Sequence, residues 1–569
     1  MSGQMVQPTQ PTTRPASAPP GESPLSIRAD GVPGAPPRTP WRNRIGPIAL
    51  VTGLAVLTAV VHGRGMANGP AFIDDEGTYV AQAWAVQHNG TLAHYTYWYD
   101  HPPLGWMLLA LWNWVTGPFL DPATAVDGGR QFTLVCAVVS AILIYFLGRR
   151  LGFARWAASA AVIAYALSPL AVNYSRYVYL DNIGLPFLLG AFVLALSPRR
   201  HLWAYMGSGL LLACAVLCKE TLLLFAPAVL AAAWVNSKGR TRPFLVAGFV
   251  STLILILLLY PVYALLKGEL LPGVGHVSLY DAVKFQLGGR LSTGSILNSN
   301  SRSAEIVTTW LQLDPWLLGA GVLLSPIAVA LRRTRPVGLA VLIPVLAALR
   351  PGYLPDPFVI ALLPFCALVV AGLADTGVKK LVMSRAFVRR RPSRQADGAW
   401  RVQRRPVLWG AAGIAVVAIA ALVASGVLIS GWSDKTSDIN AGKTSATTQG
   451  VVNYVSAGIP TGARVLIDDT LFVDLVDRGF DQHTGAIWFY KLDFTNNLDP
   501  SVQKRLPNGI RDIDYVIYTP VMRSALDTQP GGLQPVREAV KSFRRCVSVG
   551  TGTEHIQILQ NPVLPPCAR

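Results

Sequence analysis

The sequence predicts a polytopic α-helical membrane protein with a small α/β domain at its C-terminus. Of its 569 residues, 51% are hydrophobic and only 14% are charged, a balance that soluble proteins of this length rarely have. The apolar residues are gathered in runs that approach the roughly 20 residues a spanning helix needs. Basic residues stand mostly in the short loops between those runs, as the positive-inside rule of membrane topology requires.

The N-terminal segment differs from the rest. Residues 1–43 are rich in Pro, Gln, Thr, Ser and Ala and contain almost no large apolar side chains, so we expect a disordered cytoplasmic tail. The first apolar run, Ile45 to Val61, follows Arg42 and Arg44 without a clear small-residue cleavage site. It predicts a signal anchor whose N-terminus stays in the cytoplasm.

Further apolar runs predict a transmembrane domain over residues 44–431, with about eleven spans in all. After the anchor comes a first outer loop at about residues 62–130, which carries interfacial helices. The later predicted spans are residues 131–148, 156–173, 182–197, 202–218, 221–235, 244–266, 315–331, 337–349, 357–373 and 407–431.

The loops support this topology. With the tail in the cytoplasm, the inner loops are "GRRLGFAR", "SPRRHL", "NSKGRTRP", "LRRTRP" and the stretch from Lys379 to Arg405, and every one is basic. The opposite loops "NYSRYVYLDN" and "RPGYLPDP" carry one Arg each. The formal charge of +18 is thus explained by topology, and because no nucleic-acid-binding motif accompanies it, we expect no nucleic-acid partner. The predicted location is the plasma (inner) membrane, with the C-terminal domain outside the cytoplasm.

Residues 432–569 predict an extracytoplasmic α/β domain. "ARVLIDD", "DYVIYTP" and "HIQILQ" are short β-branched runs separated by helix-compatible stretches such as "TLFVDLVDRG" and "LQPVREAVKSF". Four of the six cysteines fall in apolar spans, whereas Cys546 and Cys567 fall in this outer segment, where disulfides are permitted. We predict that these two form a disulfide.

Three adjacent carboxylates, Asp74, Asp75 and Glu76, stand in the first outer loop. One Asp would suffice to cap the helix predicted in "EGTYVAQAWAVQH". Three in a row repel one another and raise at least one pKa, which suits a group that accepts a proton. Capping and catalysis are both open from this stretch alone.

Two other polar stretches lie on the same predicted face. "YWYDHPPLGW" contains His101 ahead of a second interfacial helix, and a solvated turn is as good an interpretation of it as a binding site. "NYSRYVYLDN" contains Arg176 and Asp181, and Arg176 either pairs with Asp181 or the acidic trio or contacts a phosphate or sugar.

Together, "DDEGTYVAQAWAV", "YWYDHPPLGW" and "SRYVYLDN" resemble the GT-C glycosyltransferases, nearest to the family 39 protein O-mannosyltransferases and the lipid A aminoarabinose transferases. The matching residues are Asp75 with Glu76, His101 to Gly105, and Arg176 with Leu180 and Asp181, and the likeness covers roughly residues 45–375. The C-terminal segment does not resemble the MIR domain of the eukaryotic mannosyltransferases, so the acceptor cannot be carried over from them.

The resemblance implies an inverting transferase that uses a polyprenyl-phosphate-linked sugar. Its acceptor would be a hydroxyl group of a protein, glycolipid or polysaccharide, and membrane lipids would surround it. Asp75 is the predicted general base, with Glu76 second and Asp74 the alternative if the register is shifted by one. The predicted ligands of the donor phosphate and sugar are Arg176, Asp181, Arg350, Lys219, His101, Tyr79 and Tyr353.

Two questions stay open at this level. The first is whether the protein binds a divalent metal ion. Glu76 and His101 are candidate ligands, although the acidic trio lacks the His spacing of zinc sites. The second is whether the protein is a transporter or flippase of a lipid-linked substrate. Transporters usually place such charges near the bilayer midplane in repeated halves, and neither feature is found in this sequence.

Overall fold

Helices form at the predicted positions wherever the structure describes the chain. The computed structural model describes residues 42–117, 123–274, 276–388, 393–394, 400–401, 426, 428–492, 502, 504–529 and 531–567. The described residues from Leu50 onward belong to one compact unit, and residues 42–49 belong to a separate one. The predicted tail, residues 1–43, lies outside the described residues except at Arg42 and Asn43, and so does most of the predicted span 407–431.

Helices are the main secondary structure in the described residues of the first half of the chain. Its helices are α1 (Arg42–Gly63), α2 (Asp74–His88), α3 (Leu104–Thr116), α4 (Ala125–Arg150), α5 (Arg155–Leu167), α6 (Pro169–Arg176), α7 (Leu180–Ala195), α8 (Leu202–Cys218), α9 (Ala226–Asn236), α10 (Arg242–Leu257) and α11 (Leu259–Leu266). The two predicted interfacial helices correspond to α2 and α3.

The second half continues with helices and ends in a sheet. Its helices are α12 (Leu279–Lys284), α13 (Arg302–Leu313), α14 (Pro315–Ala330), α15 (Arg335–Ala348), α16 (Leu363–Val388), α17 (residues 428–440), α18 (Thr444–Gly458), α19 (Phe472–Val476), α20 (Pro520–Thr528) and α21 (Gln534–Ser542). The strands are β1 (Ser393–Arg394), β2 (Trp400–Arg401), β3 (Val465–Ile467), β4 (Ala486–Trp488), β5 (Tyr515–Tyr518), β6 (Arg544–Val549) and β7 (Ile556–Gln560).

Four helices in the described part of the chain are long and apolar enough to cross a membrane, judged by length and composition: Gly46–Gly63, Ala125–Arg150, Gly239–Leu266 and Asp356–Lys380. The pairs α5–α6 and α13–α14, bent by 63° and 112°, raise this number to as many as six. Shorter apolar helices are α3, α7, α8, Glu220–Asn236 and α15. The total of about eleven spans stays a prediction.

Both bends arise where a capping side chain meets a proline. Ser168 accepts a hydrogen bond from the Ala171 N–H and Asp314 accepts from the Trp316 and Leu317 N–H groups, so each begins a new helix. Proline follows each cap, at the one helical position where its missing N–H costs nothing. The chain therefore turns sharply at these points.

The predicted C-terminal sheet is present and has five strands in the order β4-β3-β5-β7-β6. β3 is parallel to β4 and β5, whereas β7 is antiparallel to β5 and β6. The three predicted runs are the central strands β3, β5 and β7. The two strands that were not predicted, β4 and β6, lie at the edges.

The C-terminal sheet packs against the helices of the first outer loop. One hydrophobic core joins α2 and α3 to α18 and to one face of the sheet, with Tyr79, Trp106, Val451, Ile467 and Ile558 among its members. The other face of the sheet has its own core against α20 and α21. Burying a shared apolar face of this kind holds the outer loop and the C-terminal segment together.

Candidate active site

The three carboxylates of the acidic trio occupy the first turn of α2 and have three different environments. Ile73 is extended, and its N–H donates to Glu76 Oε2 at 3.3 Å, which starts the helix at Asp74. Negative charge in the first turn also interacts favourably with the helix dipole. Because successive helical residues are rotated by about 100°, the three side chains diverge.

Glu76 is fully buried and is taken up by an ion pair. Arg130 Nε lies 2.8 Å from Glu76 Oε1 and Arg130 Nη2 lies 2.7 Å from Glu76 Oε2, and the Val178 N–H donates to Oε1 as well. With both oxygens satisfied and no exposure, Glu76 is poorly suited to accept a proton from a substrate or to bind a metal ion. This geometry argues against its predicted roles as second base and metal ligand.

Asp74 faces the C-terminal sheet. Trp488 Nε1 donates to its Oδ1 at 3.1 Å. Burial raises the pKa of Asp74 well above its usual value, and the nearby carboxylates Asp469, Asp468 and Asp75 raise it further. Asp74 is thus held in a setting that favours its protonated form.

The turn after β3 carries Asp468 and Asp469 and packs tightly on α2. A Cβ atom added at Gly77 would lie 2.1 Å from the Thr470 backbone nitrogen, so the two backbones are in direct contact. Thr78 Oγ1 donates to Asp469 Oδ2 at 2.9 Å, and His94 Nε2 lies 3.1 Å from Asp469 Oδ1. The C-terminal segment therefore fixes the first turns of α2.

Asp75 is the exposed member of the trio. No hydrogen bond to its side chain occurs within the part of the chain that the structure describes. Together with burial, which is the larger cause, its charge raises the pKa of Tyr79, one helical turn further on. Asp75 is therefore open to solvent in a way that its two neighbours are not.

A buried polar cluster lies on the other side of Tyr79. The Tyr79 and His101 ring centroids are 6.3 Å apart, and Lys219 Nζ lies 2.9 Å from His101 Nε2. His101 Nδ1 lies 3.0 Å from Glu220 Oε2. A lysine ammonium only donates hydrogen bonds, so next to it the tautomer that fits this geometry accepts at Nε2 and donates from Nδ1 to Glu220.

The local sequence explains how Lys219 reaches this position. α8 ends at Cys218, Lys219 is extended, and a 3₁₀ turn begins at Glu220. This break turns two charged side chains away from the apolar helix. Asp181 is buried near Lys219, Glu220 and His101, and its Oδ2 has no hydrogen-bond partner among the described residues.

Arg176 is buried and its donors are used within the protein. It donates to the carbonyl oxygens of His62, Gly69 and Arg64 and to Asn440 Oδ1 at 2.7 to 3.0 Å. This placement argues against the predicted contact with the donor phosphate. Its role is to hold the turn after α1, where Arg130 also binds two carbonyl oxygens, those of Met66 and Pro70.

Arg350 and Tyr353 are exposed beyond the end of α15. The guanidinium of Arg290 lies 4.5 Å from the centroid of the Tyr353 ring, a cation–π contact that the sequence did not predict. Close to Arg290 in the chain, Gln286 Nε2 donates to the Asp100 carbonyl at 2.7 Å. The loop after α12 thus lies next to the His101 segment.

Asp356 is another residue that sequence reasoning missed. Its two oxygens accept from Tyr174 Oη at 2.9 Å and from Tyr179 Oη at 3.3 Å. The signal that would have found it is an acidic residue in "YLPDP", at the start of an apolar run. Arg130 offered the same signal, being an arginine near the start of the span that became α4.

Among the described residues, no group of three or more His, Cys, Asp or Glu side chains is arranged to hold a metal ion. In the C-terminal segment, Cys546 and Cys567 form a disulfide with their Cα atoms 5.7 Å apart. Cys546 lies where the pairing of β6 with β7 shifts register.

Part of the chain matches a known protein family, and the overall fold resembles that of solved membrane glycosyltransferases. Residues 100–264 match the family model described as dolichyl-phosphate-mannose-protein mannosyltransferase. This segment includes His101, Asp181, Lys219 and Glu220. No curated protein sequence matches the chain.

Two solved structures have a similar fold. The crystal structure of ArnT from Cupriavidus metallidurans bound to undecaprenyl phosphate has a TM-score of 0.53 at 11% identity, covering 91% of this chain and 98% of that one. The oligosaccharyltransferase of Archaeoglobus fulgidus has a TM-score of 0.51 at 11% identity, covering 92% of this chain and 76% of that one. At this identity the likeness establishes the fold alone.

Proposed function

We propose that this protein is a membrane glycosyltransferase that moves a sugar from a polyprenyl-phosphate-linked donor to a hydroxyl acceptor on the extracytoplasmic face. The proposal includes hexosyl and pentosyl donors, and protein, glycolipid and polysaccharide acceptors. It agrees with the mannosyltransferase family match and with a fold like that of a protein crystallised with undecaprenyl phosphate.

The observation that carries the proposal is the position of Tyr79. It follows the exposed Asp75 by one helical turn, and its ring lies 6.3 Å from that of His101, which pairs with Lys219. The pKa of Tyr79 is raised by burial first, and then by Asp75, Asp100, Asp181 and Glu220. A candidate proton acceptor, Asp75, and a cluster that contains the Lys219 cation thus lie on either side of one side chain.

This arrangement fits the chemistry of direct displacement. The acceptor oxygen attacks the anomeric carbon and gives its proton to Asp75 as the new C–O bond forms. The bond from the anomeric carbon to the phosphate oxygen breaks, and polyprenyl phosphate leaves with the bonding electrons. One displacement inverts the configuration at the anomeric carbon.

The leaving phosphate gains negative charge and needs a fixed cation. Lys219 supplies one within the His101 cluster. Arg290, stacked on Tyr353, and the exposed Arg350 are further candidates at the neighbouring loops. Guanidinium groups suit phosphate because of their planar donor geometry. In this proposal Arg290 takes the place that the sequence assigned to Arg176.

The experiment is to replace Asp75 with Asn in the full-length protein and measure transfer of radiolabelled sugar. Membranes receive polyprenyl-phosphate mannose and, separately, polyprenyl-phosphate arabinose. Loss of a general base is expected to lower transfer by about 10²- to 10⁴-fold. Asp434→Asn, which makes the same change at an exposed position of α17, should transfer at the wild-type rate.

Two results would contradict the proposal. Transfer by Asp75→Asn at the wild-type rate would remove Asp75 as the base. A wild-type protein that moves the labelled lipid across the membrane but transfers no sugar would indicate a transporter or flippase instead.

A further inference from the structure

A groove of about 670 Å³ opens between the C-terminal end of α1 and helix α17, away from the His101 cluster. This volume falls in the range of ligand sites. Residues 429, 432, 433, 436, 437 and 440 of α17 line it, a spacing of three and four that puts them on one helical face. Asp434 and Asp438, the acidic residues of α17, fall on the opposite face.

The lining changes from apolar to polar along the groove. The apolar part is lined by Val60 and Val61 of α1 with Ile429 and Trp432 of α17. The polar part is lined by Arg64 and Asn68, in the turn after α1, with Ser437 and Asn440 of α17. Both helices run toward the predicted outer face, so the lining contributed by α17, and by α1 with the turn that follows it, becomes more polar toward that face. An amphiphile with its chains in the outer leaflet and its headgroup at the water interface matches this pattern.

The polar end carries positive charge. Arg64 is exposed, and no hydrogen bond to its guanidinium occurs within the described part of the chain. Behind it, the buried Arg176 donates to the Arg64 carbonyl and to Asn440 Oδ1, and no carboxylate of a described residue forms an ion pair with Arg176. Because Asn440 Oδ1 accepts from a cation, its Nδ2 donors are left for a ligand.

We propose that this groove binds an anionic lipid of the outer leaflet, with the headgroup phosphate at Arg64 and Asn440 and an acyl chain along Val60, Ile429 and Trp432. An uncompensated buried cation next to an exposed one favours an anion over a zwitterion. None of the residues proposed to act on the sugar donor lines this groove. The site is thus separate from that of the donor.

The test is lipid retention by the purified full-length protein, measured by native mass spectrometry with phosphatidylglycerol and with phosphatidylcholine. Wild-type protein should retain phosphatidylglycerol selectively. Arg64→Gln should bind it about tenfold more weakly, as expected for the loss of one charge-assisted contact. This change keeps the backbone carbonyl that Arg176 needs, and Arg511→Gln, at an exposed arginine of the C-terminal segment, is the matched control.

A second pair of variants tests the groove itself. Ser437→Phe fills the polar end, whereas Asp438→Phe places the same ring on the opposite face of α17. Retention should fall for the first and persist for the second, with unchanged melting temperatures. Equal retention of both lipids by the wild type, or wild-type retention by Arg64→Gln and Ser437→Phe, would overturn the proposal.

Discussion

Helix α2 contributes to two charged clusters that differ in how fully the protein satisfies them. In the closed cluster, Glu76 is paired with Arg130, and Arg130 and Arg176 together bind five backbone carbonyls between residues 62 and 70. In the open cluster, Asp75 is exposed and Asp181 Oδ2 is unpartnered among the described residues. A charge in an apolar setting therefore marks a binding site only when it has capacity left for a substrate.

The largest expected effect belongs to the closed cluster. Arg130→Ala leaves the Glu76 carboxylate buried without its partner, which should lower the free energy of unfolding by about 3–5 kcal/mol. Denaturant titration of the purified protein in detergent measures this. Asp75→Asn changes the residue next to Glu76, and its free energy of unfolding should equal that of the wild type within about 0.5 kcal/mol.

A double variant sharpens this contrast. Replacing both partners, as in Glu76→Gln with Arg130→Met, removes the unpaired charge and should recover much of the stability lost in Arg130→Ala. If the double variant is no more stable than Arg130→Ala, the ion pair is not the reason that the closed cluster is stable.

A smaller effect is expected in the open cluster. Lys219→Met removes the cation beside His101, so the KM for a polyprenyl-phosphate sugar should rise by about tenfold or more, the worth of a charge-assisted hydrogen bond. Steady-state transfer assays separate this from the fall in kcat expected for Asp75→Asn. Lys267→Met, at an exposed lysine just after α11, is the control. An unchanged KM in Lys219→Met would exclude the cation from donor binding.

A pH-dependent effect concerns Asp474, where the C-terminal segment meets helix α4. Asp474 accepts a hydrogen bond from the Ala125 N–H at the start of α4, and burial raises its pKa from 3.8 to about 7. Between these values the folded protein holds a proton that the unfolded chain has released. The stabilisation is therefore complete below pH 3.8 and is lost as the pH rises to about 7, by up to about 1.4 kcal/mol per pH unit.

Asp474→Asn keeps the acceptor oxygen without the charge, so the variant should be more stable than the wild type at pH 8, by about 1 kcal/mol or more. Thermal unfolding across pH 5 to 8 measures this. Asp477→Asn, the exposed neighbour on the same turn, should not change the profile. A wild-type stability that is flat over this range would mean that Asp474 titrates normally.

Sequence reasoning performed unequally on the two clusters. It predicted that one membrane face carries Asp75, Tyr79, His101, Asp181 and Lys219, because the loops that contain them all lie outside in the predicted topology. It assigned Glu76 and Arg176 to the same site, although they are buried in the closed cluster. Their partners, Arg130 and a series of backbone carbonyls, have no pattern in the sequence that marks them as partners.

The C-terminal segment shows the same division. The central strands β3, β5 and β7 were predicted because they are buried β-branched runs. The edge strands were not predicted, because β4 (Ala486–Trp488) has a single β-branched residue and the side chains of β6 are partly or fully exposed. An edge strand is recognised by its pairing with a neighbour, which the sequence does not display.

The positions of the described apolar helices and the presence of the C-terminal sheet followed from the amino-acid order alone, because transfer of a side chain from water is a local property of each segment. Which carboxylate of the trio stays available did not follow from it. That outcome depends on Arg130, 54 residues from Glu76, and on Trp488, 414 residues from Asp74. Hydrogen bonds over such separations exist only once the chain has folded.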